Sequence, residues 1–225
     1  THTAASHFHL FATIENGQGR FWANEHESFA PDVIVMLLGT WEDFRMLDGG
    51  LGGPPYSAAW DARYGRVVRR HLQWMTRGGT EVIWIGMPVS PPQFNLDFER
   101  LNAVYRREVE RAGGTYLDGT AILAAAPRGD TGFTETAAGR LVPLRGVDGH
   151  HLCPPAARLM MDAVLDTLVA GGEIDRRPDW AGGYRWRPQR FPFDTRSTLR
   201  CNRAFTQADA DLAATGIFRP QPAGP

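Results

Sequence analysis

The sequence predicts an α/β domain with a parallel sheet, and three observations carry that prediction. Apolar runs without polar alternation recur, at 32–38 (DVIVMLL) and 81–86 (EVIWIG). Stretches of helical spacing separate them, and glycines or prolines mark each change. An unalternated, β-branched run is the pattern of a strand buried on both faces. Strand and helix in strict alternation then give a layered α/β fold with right-handed crossovers.

The elements follow in order. Pro31 leads into the first run and Gly39 closes it. Beyond a Gly/Pro-rich loop at 47–55, Trp60, Tyr64, Val67, Val68, Leu72 and Met75 recur at helical spacing. Ser57 is the expected cap of that helix and Gly78-Gly79 its stop. The second run ends at Pro88 and Pro91-Pro92. Leu96, Leu101, Val104, Tyr105 and Val109 mark a second helix, stopped by Gly113-Gly114 before a short strand at 115–118. Residues 120–126 read as a short helix, 131–140 as loop, and 155–168 as a last amphipathic helix. Composition changes at Gly171-Gly172, so the expected organisation is an α/β domain over 1–170 and an Arg/Pro/aromatic tail over 171–225.

Length and charge narrow the function. The 225 residues carry 24 basic and 25 acidic side chains, a net charge of -1, which disfavours a partner bound by neutralising many phosphates. No nucleic-acid partner is therefore expected. All the basic side chains are arginine, so lysine Schiff-base chemistry and a GK[ST] phosphate loop are excluded. No run of about 18 apolar residues is present to span a bilayer. Cys153 and Cys201 are too few for a disulfide framework or a cysteine zinc site.

In an open α/β sheet the reactive groups gather beyond the carboxyl ends of the strands. The strongest stretch there is Asp148-Gly149-His150-His151. An Asp three residues before a His can accept its Nδ1–H, fixing the tautomer and leaving Nε2 to take a proton from a hydroxyl. An ordinary Asp-Gly turn with loop histidines is the competing account. His150, two residues from the Asp, points away on this spacing. Gly39, at a strand end, can offer its N–H to an oxyanion or can simply end the strand. Trp41 and Glu42 are candidates for the substrate pocket. His2, His7, His9, His26 and His71 lack a matching carboxylate and read as loop or helix-surface residues.

Strand-Gly at 33–39, IWIGMP at 83–88, LNAVYRREVERAGGTYLD at 101–118 and LRGVDGHHL at 144–152 together resemble the SGNH (GDSL-type) hydrolase and acyltransferase superfamily, notably its bacterial envelope-associated branches. The resemblance covers roughly residues 31–170. It implies a three-layer α/β/α, flavodoxin-like fold, with Asp148 and His151 in the DxxH roles and Gly39 at the start of the GxND block, in the oxyanion hole. Trp41 stands where that block has Asn. No Gly-Asp-Ser precedes residue 31; Ser6 and Ser28 are badly spaced, and Gly17 and Gly19 are weak matches to the second block. The resemblance therefore places the nucleophile strand N-terminal to Thr1, with the given chain inactive by the serine route. It implies an esterase or O-acyltransferase acting on acyl (expected acetyl) esters of carbohydrate or envelope polymer, outside the cytoplasm, with no metal or organic cofactor. A non-catalytic carbohydrate- or partner-binding pseudoenzyme of the same fold is the alternative.

Overall fold

In the computed structural model, which describes residues 26–39, 57–88, 97–129, 132–135, 139, 141–146, 151–176 and 201, the first apolar run becomes strand β1 (Val33–Leu37). Helix α1 (Ala58–Met75) follows, its first turn capped by Ser57 Oγ accepting from the Trp60 N–H at 3.2 Å. That contact satisfies one of the donors a helix start leaves open. Strand β2 (Glu81–Ile85) pairs parallel with β1, in the register Val33 to Glu81 through Leu37 to Ile85. Helix α2 (Phe98–Arg111) is capped by Asp97 and leads to β3 (Thr115–Leu117), parallel to β2. The sheet order is β1-β2-β3, so the predicted α/β class is what the chain adopts.

Two successive crossovers of one hand, stepping the same way across the sheet, put α1 and α2 on one face. Met36, Val82 and Trp84 accordingly bury against Trp60, Tyr64, Val68 and Leu72 of α1 and Leu101, Tyr105 and Val109 of α2. Trp84 lies on Tyr105 at 4.6 Å between ring centroids, and the Tyr64 and Tyr105 hydroxyls share a hydrogen bond of 2.9 Å. Five large aromatics, Trp60, Trp84, Tyr64, Tyr105 and Phe98, have at most 2% exposure, which makes this the principal hydrophobic core.

The chain divides into two compact units, one running to Asp118 and the other beginning at Gly119 with residues 90–94. The second contains α3 (Gly119–Ala124), the antiparallel pair β4 (Phe133–Glu135) and β5 (Leu141–Pro143), and α4 (Pro154–Gly171). Helix α4 starts on Pro154 and Pro155, where a missing N–H costs nothing. It ends at Gly172, whose φ of 81° is the left-handed cap conformation that favours glycine.

Three expectations are corrected. Strand β1 is not buried on both faces: Val35 and Leu37, which point away from the helices, are 40% and 39% exposed. Its only described partner is β2, whereas β2, flanked on both sides, is the strand that fits the doubly buried pattern. The stretch 131–140 is not simply loop, because β4 lies within it and β5 begins just after it. Three-residue strands are too short for a period of two to stand out. His71 is not a surface residue but lies fully buried in α1. Of the expected tail, only residues 171–176 and 201 are among those described.

Candidate functional site

The DGHH stretch begins from a local ribbon. The Leu144 carbonyl accepts the Cys153 N–H at 2.9 Å, and the His151 carbonyl accepts the Gly146 N–H at 2.8 Å. Between them Arg145 and Leu152 form an antiparallel bridge. The chain that leaves at Gly146 therefore returns at His151, closed by backbone hydrogen bonds. His151 is exposed and stands two residues before Cys153, which caps α4. Asp148 and His150 fall within 147–150, outside the described residues.

One tie at this place was not foreseen. Cys153, fully buried, is bonded to Cys201 across 48 residues. The disulfide fixes the end of the ribbon and the start of α4 to the C-terminal part of the chain. Nothing in the sequence signalled the pairing, since two cysteines so far apart carry no spacing pattern.

In the first unit the strand ends are shaped by close packing. A Cβ on buried Gly39 would strike Met87 Cγ and come within 3.3 Å of Leu101 Cδ2. Glycine is therefore required at 39 by the side chains beneath it, whatever its N–H does. Its neighbours Trp41 and Glu42 lie outside the described residues. After β2, the Asn102 amide clamps the backbone of Met87 both ways, accepting its N–H at 2.8 Å and donating to its carbonyl at 2.7 Å. A Cβ on Gly86 would collide with the Tyr116 hydroxyl. Burial, with the Asp118 charge behind it, pushes the Tyr116 hydroxyl up to about 12, so it stays a neutral donor at any ordinary pH. Asn102 and Tyr116 thus set the form of the β2 end. Sequence reading passed over both, because each sits in a stretch read only as helix or strand.

Gly39 and His151 are each described within their own unit. Among the described residues, no three His, Cys, Asp or Glu side chains gather as a metal-ligand group. No described helix is long and apolar enough to cross a membrane.

Comparison with known sequences adds one match. A family model described as "protein of unknown function (DUF459)" spans residues 21–167, more than half of the chain. The chain belongs to DUF459. The DUF459 span takes in the three-stranded sheet, both of its helices and the ribbon that carries His151. No curated protein matches.

Proposed function

We propose that this DUF459 chain supplies the general base of a serine esterase or O-acyltransferase acting on acyl esters, acetyl esters foremost, of carbohydrate or cell-envelope polymer. The observation that carries the reading is the bridged ribbon at Arg145 and Leu152, with His151 exposed at its base. A closed return of this kind suits a carboxylate three residues before an imidazole, the spacing of Asp148 and His151. In this reading Asp148 accepts the Nδ1–H of His151, and Nε2 takes the proton of a serine hydroxyl as it attacks the ester carbonyl. His151 then returns the proton to the departing alcohol. Water or a sugar hydroxyl then takes the acyl group. The Cys153–Cys201 disulfide supports a location outside the reducing cytoplasm, where such bonds persist.

A second reading keeps the fold without the chemistry, as a carbohydrate- or partner-binding pseudoenzyme. Gly39 favours it to this extent: Met87 and Leu101 already require a glycine there. The two readings separate on p-nitrophenyl acetate, using the full-length protein that contains these residues. Wild type is expected to turn over, His151→Ala to lose about 10³-fold or more, and a fluorophosphonate probe to label the nucleophile. Turnover unchanged in His151→Ala sinks the esterase reading, and so does a protein that neither turns over nor takes the label.

A further inference from the structure

The chain's net charge of -1 conceals an uneven distribution. Helix α1 carries Arg63, Arg66, Arg69 and Arg70 against a single acid, Asp61, and Arg100 of α2 holds that acid through two contacts of 2.8 Å. At 100° per residue Arg63, Arg66 and Arg70 fall opposite the buried stripe of Tyr64, Val68, Leu72 and Met75, and Arg69 lies on its flank toward α2. Arg63, Arg66 and Arg70 are exposed, and among the described residues no carboxylate pairs with them.

Beside them lies a buried anion with three cations around it. The side chain of Glu108 is 1% exposed and accepts hydrogen bonds from Arg69 at 2.9 Å, Arg107 at 2.9 Å and Arg111 at 3.0 Å. Gly65 makes room for this, since a Cβ there would stand 2.6 Å from Arg107 Nη2 and 3.0 Å from Glu108 Oε1. A glycine inside a helix costs roughly 1 kcal/mol against alanine, so the clearance is kept against local preference. The three arginine side chains remain 42%, 44% and 55% exposed. One carboxylate offsets one of them, which leaves a local excess of two positive charges whose side chains are already ordered. Glu99 and Glu110 lie on the solvent side of α2, so the basic field is concentrated on the α1 side.

We propose that the solvent face of α1, with the adjoining Arg107 and Arg111 of α2, is a docking surface for an anionic phospholipid bilayer. Guanidinium groups bind phosphate through paired N–H donors, and here they are spread along a helix instead of converging on one point. From Arg63 to Trp74 the array runs about 16 Å at the helical rise, a span that meets several headgroups at once. Trp74, in the last turn of α1, is half-buried, and the Arg70 guanidinium lies over its ring at 5.4 Å. An indole beside an arginine suits the headgroup layer, where one end of the side chain is apolar and the other wet.

The test is co-sedimentation of the whole chain with vesicles of phosphatidylcholine alone or phosphatidylcholine with one-third phosphatidylglycerol, at low and at high salt. The expected result is binding only to the mixed vesicles, weakened by salt. Arg66→Glu with Arg70→Glu, both outside the Glu108 cluster, should lower the partition coefficient by roughly 30-fold or more. The charge-matched control, Arg158→Glu with Arg176→Glu on exposed positions of the second unit, should bind as wild type does. Equal loss in the control overturns the proposal, because net charge alone would then govern binding. No binding, or equal binding to neutral vesicles, also overturns it. Retention by dextran sulfate without vesicle binding assigns the face to a polyanionic polymer and rejects the lipid.

Discussion

The two units of the chain are held in different ways. The first unit closes around five nearly inaccessible aromatics, with an 18-residue and a 14-residue helix on one face of a parallel sheet. The second unit has a six-residue helix, two three-residue strands and α4, and among its described residues the buried apolar side chains are Leu123, Ala126, Phe133, Leu144, Cys153, Ala156, Met160 and Val164, with one aromatic ring among them. A disulfide enters just where this second unit must hold its ribbon against α4. The difference teaches that a cross-link is most useful where apolar burial is thin, since it acts by restricting the unfolded chain and needs little interior.

The largest effect that would sharpen this contrast is removal of the central aromatic. Trp84→Ala takes away a side chain with no exposure and its contact with Tyr105. The expected loss is about 3–5 kcal/mol in urea unfolding. Hydrogen exchange should show α1 and α2 losing more protection than α4. Equal loss in both would mean that the units unfold as one, and the contrast would fail.

Next comes the cross-link. Cys201→Ser, or reduction of the native protein, is expected to cost about 2–4 kcal/mol for a loop of this length. The loss of exchange protection should centre on residues 144–146 and on α4, with α1 and β2 little changed. A loss centred on the three-stranded sheet would count against a local role for the bond.

The same contrast explains what could be read from the residues beforehand. α1 and α2 were legible because each is long and its apolar pattern is dictated by burial on a defined face, and β2 because its unbroken apolar run matches a strand covered on both faces. The half-exposure of β1 was not, since DVIVMLL reads alike whether one face or both are covered. The β4–β5 pair was too short to give a period, and the disulfide depended on a contact 48 residues away. At the candidate site, the spacing of Asp148 and His151 was legible, and so was the strand-end position of Gly39. The packing that requires Gly39, Met87 against Leu101, was not. Nothing in the run RREVER marks Glu108 as buried, although Gly65, a glycine inside a helical pattern, is a signal that something approaches α1 closely.

Two histidines carry the contrast to its smallest predicted effect. His151 is exposed at the ribbon, whereas His71 is buried in α1, its Nδ1–H donating to the Val67 carbonyl at 3.0 Å and its Nε2 without a hydrogen-bond partner. Burial lowers the His71 pKa to about 4, against the pull of the Val67 carbonyl and with help from the Arg70 charge. Folding therefore holds the ring neutral while the unfolded chain takes up a proton near pH 6.5. This contribution is complete above that pH and is lost as pH falls toward about 4, amounting to about 2 kcal/mol by pH 5. Urea midpoints followed from pH 8 to pH 5 should fall in wild type, and fall less by about that amount in His71→Phe. Identical slopes for the two proteins would mean that His71 protonates freely in the folded state. The first unit's loss of stability in acid would then have to come from its carboxylates, beginning with Glu108. Burial would raise the Glu108 carboxyl, but the hydrogen bonds from Arg107 and Arg69 outweigh it and hold the group below its ordinary value. Its contribution is therefore present above the ordinary carboxylate range and is lost only as pH falls through that lowered value, below the window in which His71 titrates.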